Sequence, residues 1–130
     1  MIVGIGTDIV EVGRIARLLK TNLHFVDKVY SAAEIAYSSA KASPAQSYAA
    51  RFAAKEAFMK AIGTGWDQGV SWKEIEVINN NEGKPELVIT GRSAELARAM
   101  KIRKMHLSLS HEKDYAIAYV VLEAEQTEAI

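Results

Sequence analysis

The apolar and polar positions of this chain fall into runs of two periods, and the order of the runs sets out a layout before any chemistry is considered. Residues 1–6, MIVGIG, carry β-branched side chains at Ile2, Val3 and Ile5 and predict a short buried strand, with Asp8 just past its end. An amphipathic helix follows, with Val12, Ile15, Ala16 and Leu19 inward and Arg14, Arg17 and Lys20 stepping by threes along the outer side. Ser31 and Glu34 have the Ser-x-x-Glu spacing of a capping box and open a helix reaching about Ala40. Residues 41–43 read as a linker. Ser43 before Pro44 is a cap and first-turn signature, so the longest helix is expected over residues 44–62.

The period then changes to two. After a loop carrying Trp66 and Trp72, residues 75–78 and 86–90 are β-rich runs separated by NNNEGKP, which predicts a hairpin. Residues 93–100 form a short helix. Met105, Leu107 and Leu109 then alternate with His106, Ser108 and Ser110, and a strand over 115–122 pairs back across the polar turn at 111–114. The tail from Glu123 is acidic and expected to fray. One edge run followed by two hairpins, with most helices ahead of them, makes an α+β domain: a mainly antiparallel sheet with a long central helix. Residues 1–123 are one domain, and 124–130 an acidic C-terminal tail.

Composition narrows the function classes. With 130 residues, 49% of them hydrophobic, a single core is large enough to fold. Sixteen basic residues cancel sixteen acidic ones, which removes the general electrostatic case for a nucleic-acid or anionic-membrane partner. Cysteine is absent, so disulfides, thiolate zinc sites and thiol nucleophiles are excluded. An acidic residue within the first ten and no long apolar run argue against a signal peptide or membrane span. The expectation is a soluble, cytoplasmic protein.

The candidate chemistry centres on RFAAKEAFMKAIGTG, from Arg51 to Gly65. At about 100° per residue, Ala49, Phe52, Ala53, Glu56, Ala57 and Lys60 share one face, while Arg51 and Lys55 point away and offer a solvated polar side. Glu56 and Lys60 thus sit mid-stripe, where burial pressure disfavours charge. They also have the spacing of a helical ion pair worth a few tenths of a kcal/mol, the plainer explanation. Gly63, Thr64 and Gly65 end the helix in a short loop whose backbone N–H groups can approach a phosphate, although a C-cap alone accounts for Gly63. Asp8 is a helix cap or a metal ligand, and spacing alone favours the cap. Arg14, Arg17 and Lys20 read as a solvated face unless the partner is acidic. His111 reads as a structural turn histidine, but the hydroxyls of Ser108 and Ser110 lead into it and make a donor-rich edge.

Taken together, GIGTDIVEVGR, RFAAKEAFMKAIGTG and SLSHEKDYAIAYV resemble the bacterial holo-(acyl-carrier-protein) synthases, the short 4'-phosphopantetheinyl transferases. Order, spacing and chain length agree over residues 2–123, and Gly83, Lys84 and Pro85 fit as well. The resemblance implies transfer of the 4'-phosphopantetheine arm of coenzyme A to a serine of apo acyl carrier protein in fatty acid biosynthesis, with release of adenosine 3',5'-bisphosphate. It implies Mg2+ held by Asp8 and Glu56, Lys60 at the leaving phosphate, and Glu56 taking the serine proton directly or through a water on the metal. It further implies coenzyme A binding by Arg51, Lys60, Gly63, Thr64, Gly65, Ser110 and His111. The carrier protein's acidic helix would meet Arg14, Arg17 and Lys20. A homotrimer is implied, with Ser110 and His111 reaching coenzyme A held by a neighbour's Asp8 and Glu56.

Two other classes compete with this reading. A non-catalytic coenzyme A or nucleotide binding module would bind without turnover. An oligomerisation domain would explain the hairpins, but not carboxylates on the apolar face of a helix.

Overall fold

The computed structural model describes residues 1–63, 66 and 69–125. Strand β1 (Ile2–Glu11) leads into α1 (Val12–Thr21), α2 (Leu23–Val29), α3 (Ala32–Ser39) and the long α4 (Pro44–Ile62). A 3₁₀ turn (Trp72–Glu74) then precedes β2 (Ile75–Asn79), β3 (Pro85–Ile89), α5 (Gly91–Ala99), β4 (Ile102–His111) and β5 (Tyr115–Ala124). Among the described residues the strands make a three-stranded sheet in the order β1-β5-β4 and a separate β2-β3 hairpin, all antiparallel. This is the expected α+β architecture, and no helix among the described residues is long and apolar enough to cross a membrane.

Local signals set most of the boundaries. Ser31 and Glu34 form both halves of the capping box that opens α3. Pro44 is the first residue of α4, and Gly63 closes it in the left-handed region at φ 82°. Two elements differ from expectation. Strand β1 does not stop at Gly6 but stays paired with β5 as far as Glu11 opposite Tyr115, because the inward and outward alternation continues through Ile9 and Val10. Asp8 is therefore mid-strand and caps nothing; Glu11 precedes α1 and makes no side-chain cap. Helix α2 is the second difference. Its start is marked by Asn22, whose side chain accepts the Phe25 N–H. At the other end, β5 runs through Glu123 to Ala124, so the expected fraying does not begin at Glu123; residues 126–130 lie outside the described residues.

The core forms where β1 crosses α4. Gly4, Gly6, Asp8 and Val10 share the strand face turned toward the helix. A Cβ at Gly4 would collide with the Ala61 carbonyl, and one at Gly6 with the Ala57 carbonyl and, at 2.8 Å, the Ala61 nitrogen. The helix answers with small residues: Ala49, Ala53, Ala57 and Ala61 are all buried. Backbone thus lies on backbone, and the next inward position along the strand after Gly6 is Asp8.

Burial around α4 overturns one expectation. Arg51 and Lys55 do not form a solvated side; they are 4% and 0% exposed. That side is covered by α3 and by the β2-β3 hairpin, and Lys55 is paired there with Glu34 at 2.8 Å. From Tyr48 to Ile62 every residue is buried except Glu56 and Lys60.

The glycine contact gives a direct test. Gly6→Ala should destabilise the fold by at least about 1–3 kcal/mol, the range for overpacking, since a carbonyl oxygen cannot move aside as a side chain can. Gly13→Ala is the control: its added Cβ would meet only side-chain ends, at 3.4 Å and beyond, and should gain about 0.5 kcal/mol from helix propensity. Chemical denaturation of the two variants reads both effects.

Candidate active site

The open part of α4 faces the middle of β1. Lys60 Nζ donates to Asp8 Oδ1 at 3.1 Å and to the Thr7 carbonyl at 3.0 Å, joining helix to strand. The expected Glu56–Lys60 helical pair is replaced by this cross-element bond, because the glycine contact brings Asp8 within reach of the lysine. Asp8 is mostly covered, at 16% side-chain exposure, and Lys60 is open at 54%.

Glu56 lies beside this pair, half-buried. Burial raises its pKa above the ordinary carboxylate value, and the charge of Asp8 raises it further; Trp66, Lys60 and Arg14 pull it down. The Trp66 indole N–H is near enough to lower Glu56, yet it is buried without a hydrogen bond of full geometry. Asp8 and Glu56 are thus neighbouring carboxylates that repel. Among the described residues no cluster of three or more His, Cys, Asp or Glu could hold a metal. Two carboxylates could share a hard cation whose other ligands are water or phosphate oxygens, the arrangement magnesium favours.

The remaining sequence candidates separate. The Gly63 N–H is taken up by the Met59 and Lys60 carbonyls, so the amide expected to face an anion closes the helix instead. Thr64 and Gly65 lie outside the described residues. Arg14, Arg17 and Lys20 are exposed along α1 as expected. Arg17 reaches Glu11 at 3.6 Å, while the Arg14 guanidinium sits over the Phe52 ring at 5.7 Å.

Arg51 and His111 belong to a second place. They line a cavity of about 450 Å³ together with Lys41, Tyr37, Ser47 and Asn79. Arg51 donates to Asn79 Oδ1 at 2.6 Å and Ser47 Oγ at 3.4 Å, and stacks over Tyr37 at 4.1 Å. Its Nε is buried without a partner, and burial lowers the pKa of the guanidinium. Among the described residues no carboxylate lines the cavity, so its chemistry suits an anion. Arg51 and Lys60 are nine residues apart on α4, about 180° around and about 13.5 Å along the axis. Ser110 lies on the outer sheet face, in a shallower concavity with Ile9, Tyr115 and Ile117 that His111 also borders.

Sequence reasoning missed Lys41, Tyr37 and Asn79. Lys41 reads as linker, but its four-residue spacing from Tyr37 was a signal: the ammonium sits 4.3 Å from that ring. Asn79 had no local signal, since its partner is 28 residues away.

Residues 4–120 match the 4'-phosphopantetheinyl transferase superfamily. A holo-(acyl-carrier-protein) synthase of Geotalea daltonii is 45% identical over 124 residues, covering 95% of this chain and 99% of that protein. The crystal structure of a holo-(acyl-carrier-protein) synthase from Bacillus anthracis, in complex with CoA (3',5'-ADP), superposes with a TM-score of 0.79 at 38% identity, covering 96% of this chain and 99% of that one. That of Helicobacter pylori, in complex with coenzyme A, gives 0.79 at 30% identity over 92% and 99%.

The raised proton affinity of Glu56 carries a stability cost with a definite sign. Its folded-state pKa lies above the unfolded one, so its contribution is most favourable below the ordinary glutamate value and is lost as pH rises through the folded value. In buffer free of divalent ions, Glu56→Gln should therefore melt higher than wild type at neutral pH. The gap should close as pH falls through the carboxylate range, and a gap that is absent or reversed would contradict the burial of Glu56.

Proposed function

Because the chain belongs to the 4'-phosphopantetheinyl transferase superfamily, and within it to the holo-(acyl-carrier-protein) synthases, we infer that it transfers the 4'-phosphopantetheine group of coenzyme A to a serine of apo acyl carrier protein. The products are holo acyl carrier protein and adenosine 3',5'-bisphosphate, and the reaction serves fatty acid biosynthesis. The observation that carries the site assignment is the meeting of Asp8, Glu56 and Lys60 where α4, buried from Tyr48 to Ile62 at every other position, is open.

The roles follow from the environments. Glu56 takes the serine proton; its raised proton affinity makes it a stronger base than an ordinary carboxylate. As the serine oxygen bonds to the phosphorus of the pantetheine phosphate, the pyrophosphate P–O bond breaks and adenosine 3',5'-bisphosphate leaves. Lys60 uses two of its three protons on Asp8 and Thr7, and the third stabilises the leaving phosphate. Asp8 holds Lys60 in place and, with Glu56, forms a donor set that fits Mg2+, which when bound neutralises charge on the phosphoryl group.

The cavity with Arg51 and His111 takes the phosphate-bearing nucleotide end of coenzyme A. Arg51 and Lys60 project from opposite sides of a buried helix, so the two half-sites serve one coenzyme A most simply across neighbouring protomers. The outer sheet face supports assembly: Ile5, Ile9, Tyr115 and Tyr119 are 65%, 62%, 47% and 50% exposed, an apolar patch suited to another copy. The working unit of this proposal is a homotrimer in the cytoplasm, with Ser110 and His111 facing a neighbour's carboxylates. Arg14, Arg17 and Lys20 receive the acidic carrier protein.

Mass spectrometry of apo carrier protein incubated with coenzyme A and magnesium tests the reaction through the gain of one phosphopantetheine mass. Asp8→Ala and Glu56→Ala should each lose at least about a hundredfold in kcat/KM, and normal turnover in either would remove it from the site. The shared site is tested by mixing. Glu56→Ala and His111→Ala chains, each impaired alone, should regain activity after dissociation and reassembly together, whereas a well-mixed oligomer as inactive as its parents would place both residues in one chain's site.

A further inference from the structure

The buried Lys55–Glu34 pair lies next to Glu56 in sequence, but faces away from the reacting groups. Its bonding is saturated. Lys55 Nζ donates to Glu34 Oε1 at 2.8 Å, the Ile75 carbonyl at 2.6 Å and the Trp72 carbonyl at 3.1 Å, so all three ammonium protons have acceptors. Glu34 Oε2 accepts the Val77 N–H at 2.9 Å, and Oε1 also accepts the Ser31 N–H at 3.0 Å.

Two of these bonds fall on the free edge of β2. The even-numbered residues face β3: the Thr90 N–H donates to the Glu74 carbonyl, and the Asn80 N–H to the Lys84 carbonyl. The backbone groups of Ile75 and Val77 therefore point away from the hairpin, toward a neighbouring strand that the sheet order does not supply. Lys55 and Glu34 stand in for that strand, one donating to the carbonyl of Ile75 and the other accepting from the N–H of Val77. Two residues further, the Asn79 side chain accepts from Arg51, one helical turn before Lys55 on α4. Strand β2 is held at alternate positions 75, 77 and 79, and the last hold is a wall of the cation-lined cavity.

We propose that Lys55, acting through Glu34 and the edge of β2, is a positioning residue for the transfer reaction, fixing the hairpin so that Asn79 meets Arg51 and the nucleotide cavity keeps its shape. A two-stranded ribbon is marginal alone and takes its position from what holds its edge. A buried ion pair adds little net stability over apolar residues of similar size, but it has direction, because its bonds end on particular backbone atoms. Apolar replacements would fill the space and leave the strand free to shift along the helix.

The proposal rests on the reading that this cavity takes coenzyme A, and its test separates the two. In the Glu34→Leu/Lys55→Met double variant no charge is left unpaired. It should melt below wild type, because the Ile75 and Trp72 carbonyls and the Val77 N–H lose their partners, but stay folded, with the KM for coenzyme A raised about tenfold and the KM for carrier protein changed less than twofold. A folded double variant with wild-type coenzyme A KM would overturn the positioning role. If the double variant does not fold, Asn79→Ala decides: it removes the end of the chain of contacts at Arg51, together with the bond from Asn79 Nδ2 to the Gly83 carbonyl at 2.9 Å, should raise the coenzyme A KM several-fold, and overturns the proposal if it does not. Arg51→Met with an unchanged coenzyme A KM would overturn the cavity reading itself, and the tether's role with it.

Discussion

Two backbones in contact set the arrangement of everything else: β1 lies on α4 at Gly4 and Gly6 with no side chain between them. Such an approach requires glycine on the strand and small residues on the helix, and Ala57 and Ala61 supply the second half. It brings the following inward residue of the strand, Asp8, close enough for Lys60 to bond it and for its charge to raise Glu56. A Cβ at Gly6 would lift the strand away. The glycines of GIGTD and the charges of KEAFMK are therefore one device read from two places in the sequence.

Four ionisable groups lie within ten residues of α4, and their surroundings divide the work among them. Lys55 is fully buried with every proton accepted, and burial lowers its pKa while Glu34 opposes the shift. A group so satisfied has no donor left for a substrate. Arg51 is nearly as buried but keeps an unpartnered Nε at a cavity wall. Glu56 and Lys60 are left open, one with its proton affinity raised and the other with an unassigned proton. Residue type alone separates none of these cases; the number of bonds already made by each group separates all of them.

This is also where the sequence was hardest to read. Local signals were legible: the capping box of Ser31 and Glu34, Pro44 at the start of α4, Gly63 at its end, and the alternation of β4 and β5 all act within a few residues. The prominence of Glu56 and Lys60 was legible too, although for a reversed reason. Periodicity placed them in an apolar stripe and gave Arg51 and Lys55 to solvent, on the assumption that a long helix has a wet side. On this helix the side that periodicity gives to solvent is covered by α3 and β2, elements whose docking no helical wheel contains. The length of β1 was misjudged because Asp8 looks like a stop after a glycine pair. Its tolerance within the strand depends on Lys60, fifty-two residues away.

Strand β1 has a second face, and it bears on how the proposed assembly would act on the site. Gly4, Gly6 and Asp8 turn toward α4, so Ile5, Thr7 and Ile9 turn outward, paired across the sheet with Val121, Tyr119 and Ile117 of β5. Ile5 and Ile9 are each more than 60% exposed on this face. Leaving two β-branched side chains in water is a modest loss for one chain and a gain of about 1.5–3 kcal/mol for each when another copy covers them. The strand that fixes the position of Asp8 would thereby be gripped on both sides, by the helix within its own chain and by the neighbour. Anything that loosens the outer contact acts on a strand whose inner contact has no side chain to absorb a shift. Assembly in this fold would then do more than bring a second wall to the site, because it would hold in place the one carboxylate that the strand contributes.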